Sequence, residues 1–348
     1  MNNPRRSQLN LMEVCGTHTM AIARHGLKSL FSKNVNMLSG PGCPVCVTPA
    51  GMIDAAIEAS RIPRAIVTTF GDMLRVPGSH SSLEKERSNG ADIRIVYSAH
   101  DALDIAAANK SKEIIFLGVG FETTAPTVAA TVISARERKI KNFSVLSMFK
   151  TIPNALKTVL AVKGRRIDGF LLPGHVSAII GEKPYRFLAR QYGVPGVISG
   201  FEPADILESE KMLLGMINGK EPRIINQYTR AVKPEGNVIA QETISEVFES
   251  ADSEWRGIGR IRKSGLVFRK KYRAFDAQKR FGIKVLHPKE NVNCICGKIL
   301  TGLENPESCK LFGKACTPQN PVGPCMVSSE GSCAAHYKYG KMVFKHRR

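Results

Sequence analysis

The chain has 348 residues, of which 43% are hydrophobic and 23% charged. That is ordinary globular usage, enough for about two or three domains at roughly 100–200 residues each, and it excludes wholesale disorder. No apolar run approaches the ~20 residues that cross a bilayer, and Arg5-Arg6 is not followed by an apolar segment, so neither a membrane span nor an export signal is read. Lys and Arg number 50 against 30 Asp and Glu, a net charge of +20 that favours acidic partners. The basic knots at 163–166, 269–273 and 346–348 are not interleaved with aromatics, and Trp255 is the sole tryptophan, which argues against a nucleic-acid surface.

In chain order, short continuous apolar runs at 35–38, 65–70, 93–97, 114–119, 145–149, 169–172 and 196–199 read as strands buried on both faces. Helical patterns separate them at 51–60, 98–109, 127–138, 155–163 and 185–192. Another helix is expected over 20–31, capped by Thr17 or Thr19. The alternation predicts parallel βαβ units, hence an α/β fold. The triplet Gly-Phe-Glu recurs at 120–122 and 200–202, each time after a strand, which raises the question of two related units. GVGFET lacks the third glycine of a dinucleotide fingerprint, so no nucleotide cofactor is read. Beyond residue 226 a helix is expected at 241–250. Gly, Pro, Lys and Cys then dominate, and such a segment needs a metal or disulfide staple.

The nine cysteines fall into two groups. Clustered thiols without an export signal point to a reducing, cytoplasmic compartment and to metal or redox chemistry. Cys15 lies in MEVCGTHT at 12–19; Cys43 and Cys46 lie in GPGCPVCVTP at 40–49. A strand running into this Gly/Pro loop, with Thr48 as N-cap and Pro49 as N1 of the next helix, would put Cys43 and Cys46 at a strand's carboxyl end. Open α/β sheets bind ligands there. Helix N-termini lower thiol pKa, so all three sulfurs are expected to carry thiolate character. The C-x-x-C spacing fits a zinc half-site, a thioredoxin-like dithiol, or an open soft thiolate site joined by Cys15. In the tail, Cys294, Cys296, Cys309, Cys316, Cys325 and Cys333 suggest an iron–sulfur cluster on four thiolates with two left over as a redox dithiol. Spacing alone does not say which four. A purely structural staple is the plainer alternative.

MEVCGTHT, GPGCPVCVTP, GFETTAP at 120–126, PGHVSAI at 173–179, GFEPADIL at 200–207 and CTPQNPVGPCMVSSEGSCAAHYKY at 316–339 together resemble the HypD family of nickel–iron hydrogenase formation proteins, over essentially the whole chain. The resemblance implies two similar parallel-sheet α/β domains plus a Cys-rich iron–sulfur domain, taken here as 32–138 with the CPVC loop, 139–225, and 226–348 with 1–31 packing on it. It implies a maturation factor, scaffold and redox protein rather than turnover enzyme, that works with a HypC scaffold and cyanide from HypE. Together they would assemble iron as Fe(CN)2CO for the hydrogenase large subunit. The family's C-x14-C-x6-C-x16-C pattern assigns a 4Fe-4S cluster to Cys294, Cys309, Cys316 and Cys333. It leaves Cys296 and Cys325 as the redox dithiol and gives Cys15, Cys43 and Cys46 the handling of the iron, with Cys43 and Cys46 as its ligands. His18 and His175, in glycine-bearing loops, and Glu330, in SSEG, are candidates for proton transfer or for hydrogen-bonding a cyanide. Two other readings stand beside it: a thiol–disulfide oxidoreductase with a 4Fe-4S cluster, and a zinc-stabilised nucleic-acid binder.

Overall fold

Strands and helices alternate through the described residues, 8–164, 166–288 and 291–345, of a computed structural model. Arg5-Arg6, Arg165 and the basic run 346–348 lie outside them. The strands are β1 (Leu9–Glu13), β2 (Val35–Ser39), β3 (Ala65–Thr69), β4 (Ile93–Ile95), β5 (Glu113–Gly118), β6 (Phe143–Ser147), β7 (Gly169–Pro173), β8 (Gly196–Ser199), β9 (Ile224–Asn226), β10 (Phe248–Trp255) and β11 (Gly259–Phe268). The first nine form two all-parallel sheets, ordered β2-β1-β7-β8-β9 and β4-β3-β5-β6. Within each sheet the strands follow the same plan, the second outside the first and the third on its other side. The fold is α/β with two similar parallel sheets.

Sheet membership corrects the expected boundaries. β1 and β2 pair with each other and, through β1, with β7, so the CPVC loop belongs with 169–226 rather than with 65–118. β6 pairs with β5, so it does not open a second domain at 139. The helix Ala50–Ser60 carries the chain from one sheet to the other. A strand–helix rhythm reads the same whether the next strand joins the old sheet or starts a new one. The Gly-Phe-Glu triplets follow β5 and β8, the third strand of one sheet and the fourth of the other. The repeat therefore lies in the topology, and the triplets are not equivalent positions.

Several helices match their sequence signals: Ala99–Ala108 starts from a Ser98/Asp101 capping box, and Pro126 stands in the first turn of Ala125–Glu137. The helix expected over 20–31 instead spans Gly16–Arg24, and Pro203–Gly219 was not expected. One core runs through both sheets and the tail, joining Met12 and Leu38, Leu117 and Phe121, and Ile299 and Met326. The Cys-rich tail thus shares the core of the sheets. Its helix Ser332–Lys345 packs on Gly16–Arg24 of the N-terminal segment.

The antiparallel β10–β11 hairpin falls where a helix to 250 was expected; the helix is Val238–Val247 and the chain turns extended at Phe248. Only the two end residues of β10, Phe248 and Trp255, are buried, so its sequence lacks an apolar alternation to announce it. The hairpin lies against β6 of the four-stranded sheet. Thr151 N–H donates to Ser264 O, Ser147 Oγ to Leu266 O, and Phe248 packs between Phe149 and Phe268. It covers an edge that would otherwise offer unpaired backbone groups. At its tip Trp255, fully buried, stacks on Phe121 at 6.0 Å and donates Nε1–H to Ser264. Trp255→Ala should cost about 3–5 kcal/mol, as other buried aromatic truncations do. Urea unfolding followed by circular dichroism will show this as a lowered midpoint.

Candidate thiol site between the two sheets

Strand order reverses between β1 and β7 in one sheet and between β3 and β5 in the other. Ligands of open parallel sheets bind in the crevice at such reversals, beyond the strands' carboxyl ends. Cys15 follows β1 and His175 follows β7; Asp72 follows β3 and Glu122 follows β5. Cys43 and Cys46 leave β2, the neighbour of β1.

The end of β1 is fixed by Glu13, whose carboxyl accepts Cys15 N–H at 3.1 Å and Thr19 Oγ–H at 2.6 Å. Burial pushes Glu13 up to about 7. Cys15, rather than Thr17 or Thr19, stands at the N-cap of Gly16–Arg24. The expectation of a thiolate there is corrected. Burial, then the charge of Glu330, pushes Cys15 up to about 12. Loss of water outweighs the helix terminus because the dipole falls off over one turn while the sulfur is wholly enclosed.

Gly16 N–H donates to Gly42 O at 3.0 Å and joins this segment to the CPVC loop. Cys43 and Cys46 are paired as a disulfide, with Cα atoms 5.2 Å apart, so they carry no thiolate either. Cys46 N–H points at the Cys43 sulfur, 3.2 Å away. Thr48 does not cap: its hydroxyl turns back to Pro44 O at 2.8 Å, and Pro49 takes the N-cap of Ala50–Ser60.

His18 and His175 lie in the first turns of helices Gly16–Arg24 and Gly174–Ile180, not in loops. Both pack on Phe201, at 4.7 and 4.0 Å between ring centroids. His18 Nε2 donates to Gly200 O at 2.9 Å, which leaves its buried Nδ1 as an acceptor without a partner in the described residues. Burial pushes His18 down to about 4 and lowers His175 as well, so both imidazoles are neutral near pH 7.

Glu330 meets this cluster from the tail. Thr17 Oγ donates to it at 2.8 Å, and Gly16 has no side chain to block it. Burial raises its carboxyl. Two residues earlier, Ser328 Oγ donates to Asp72 at 3.1 Å.

All six tail thiols line one pocket with Ile299, Leu311, Phe312, Gly323 and Met326. The sulfurs of Cys296 and Cys325 are 2.6 Å apart and buried. Val322 N–H points at the Cys316 sulfur, and Gly323 lies against that of Cys294. The Cys333 thiol is pushed well up, first by burial and then by the charges that Cys296, Cys294, Cys316 and Cys309 would carry. Among the described residues no three His, Cys, Asp or Glu side chains are gathered for a single metal ion. All six donors are sulfur and they surround one apolar pocket, a donor set whose chemistry suits soft metals.

The hairpin tip spans the two thiol groups. Arg256 N–H donates to Val47 O in the CPVC loop at 2.8 Å, and Gly257 packs on Gly297, next to Cys296. Glu13, Glu122, Tyr185, Phe201 and Trp255 were not singled out from sequence as site residues. Glu13, Glu122 and Phe201 lie inside quoted motifs, but only the fold shows their burial.

A two-sheet α/β protein with three buried cysteines beyond the carboxyl ends of one sheet and six more in an attached tail is the class that this geometry defines. The family model of HypD, described as hydrogenase formation, matches residues 1–340. The hydrogenase maturation factor HypD of Cupriavidus necator is 47% identical over 340 residues, covering 95% of this chain and 90% of that protein. HypD2 of Bradyrhizobium diazoefficiens is 46% identical over 344 residues, 97% of this chain and 90% of its own. HypD of Rhodobacter capsulatus is 45% identical over 337 residues, 95% and 89%. The chain belongs to the HypD family.

Burial pushes Glu122 up to about 7 from a normal 4.5. The folded state therefore holds a proton that the unfolded chain releases between those values. The stability from this group is full below pH 4.5 and is lost as pH rises through 7. Relative to wild type, Glu122→Gln should gain stability between about pH 5 and about pH 8, read as the difference in urea midpoints.

Proposed function

We propose that this chain is a hydrogenase maturation factor that takes part in assembling Fe(CN)2CO, together with a HypC-type scaffold and a HypE-type cyanide donor, for a hydrogenase large subunit. The observation that carries this reading is the meeting of the Cys15 segment with the Cys43–Cys46 loop beyond the neighbouring strands β1 and β2, with six more thiols around one pocket in a tail that shares their core. Cyanide and carbon monoxide favour low-spin ferrous iron, and soft thiolates with open positions can hold and release such a metal. In this reading Cys43 and Cys46 open their disulfide by taking two electrons and then bind the iron. Cys15, on the facing loop, completes the grip.

Cys294, Cys309, Cys316 and Cys333 would hold a 4Fe-4S cluster, which supplies electrons one at a time. Cys296 and Cys325 store two electrons as a dithiol and give them up by closing a disulfide with release of two protons. Their 2.6 Å sulfur separation suits that closure. His18 and His175, neutral and beside the cleft, can exchange protons there, and Glu330 holds the tail loop beside Cys15.

The Cys43–Cys46 disulfide also favours a second reading, a thiol–disulfide oxidoreductase with the same cluster. Cys43→Ala and Cys46→Ala separate the two. For the maturation role, each variant should lose at least ~10-fold of hydrogenase activity in a host that depends on this chain, with iron and sulfide content unchanged. Infrared bands of cyanide and carbonyl should vanish from its complex with the small scaffold. Full hydrogenase activity in both variants, or rapid protein-disulfide turnover by a wild-type protein without such bands, would favour the reductase.

A further inference from the structure

GFEPADIL at 200–207 turns the end of β8 into the helix Pro203–Gly219, and Asp205 completes a capping box with Glu202 at its start. A cap needs one bond from this acid, the one it accepts from Glu202 N–H at 3.2 Å. Asp205 is buried and accepts three more. Gln227 Nε2 donates to Oδ1 at 3.0 Å. Arg230 takes both oxygens, with Nη1 on Oδ1 at 2.9 Å and Nη2 on Oδ2 at 2.5 Å. Gln227 and Arg230 follow β9, the neighbour of β8, so these bonds tie two strand ends together.

The same ties reach the histidines. The Gln227 amide gives its N–H groups to Asp205 and to Glu208, at 3.0 Å each, and so must present its oxygen elsewhere. That oxygen accepts Gly200 N–H at 3.1 Å. Asp205 lies so close to Gly200 that a Cβ there would meet the carboxylate. Glycine is required by this approach, and it gives the backbone its widest freedom, so the Gly200 carbonyl keeps its direction only as far as its surroundings hold it. It accepts Ser199 Oγ–H and His18 Nε2–H, both at 2.9 Å. The next ring, Phe201, lies on His18 and His175, and Tyr228, under Arg230 at 4.6 Å, meets Phe201 edge-on at 5.8 Å. A backbone carbonyl can only accept, so the bond from His18 puts the proton of the neutral ring on Nε2 and leaves Nδ1 with the lone pair.

We propose that Asp205 is a positioning residue: acting through Gln227 on Gly200, it fixes the His18 proton on Nε2 and makes Nδ1 the nitrogen that accepts one. The inference rests on the proton exchange proposed for His18 and adds which nitrogen performs it and what sets that choice. A helix cap alone would need neither Gln227 nor Arg230.

Ring 15N spectra of the full chain labelled in histidine, with His18 assigned by its loss in His18→Gln, read this directly. Near pH 7 the wild-type ring should show one protonated and one bare nitrogen, with the proton on Nε2. Gln227→Ala leaves the capping box whole; Asp205→Ala removes it as well. In both, the two His18 signals should draw together as the tautomers mix, and hydrogenase maturation in a dependent host should fall at least ~10-fold. Glu86→Ala, which removes another buried carboxylate paired with an exposed arginine, should leave the His18 signals as in wild type. A wild-type proton on Nδ1, or an unmixed Nε2 tautomer in a Gln227→Ala protein of native circular dichroism, would overturn the inference. Mixed tautomers with undiminished maturation would uphold the positioning and remove the proton exchange given to His18.

Discussion

Two hydrogen bonds hold the cysteine-rich tail against both sheets at once. Ser328 bonds Asp72 after β3, and Glu330 accepts from Thr17 beside Cys15 after β1. Both come from one short loop between Cys325 and Cys333, so the thiol pocket and the cleft are set by the same few residues. Each bond is worth only about 1 kcal/mol in isolation. Their effect is positional. With the Arg75 bond to Pro318 O and the packing of Ser332–Lys345 on Gly16–Arg24, they set where the tail meets the two sheets.

The electrostatic character of the cleft follows from that enclosure. Charge-bearing groups brought into it lose water before they gain partners, so each moves toward its neutral form. Glu13 and Glu122 rise to about 7, Cys15 rises to about 12 and His18 falls to about 4. Buried carboxylates that gain an exposed arginine behave oppositely. Asp205 is drawn down to about 2 by Arg230, and Glu86 to about 2 by Arg61.

Much of the α/β plan was legible because parallel strands buried on both faces write continuous apolar runs: the run Ile114–Val119 became β5 nearly residue for residue. Three features were not. β1, LNLME, is five residues with two polar side chains, and its burial comes from lying between β2 and β7. The hairpin is polar along β10 and gains its place from Phe149 and Thr151 of the neighbouring sheet. The division between sheets depends on pairing partners far apart in sequence, such as Met12 beside Phe170. In the site, cysteine spacing pointed to the right loops, whereas the state of each sulfur depended on burial, which a helix-terminus rule cannot report for Cys15.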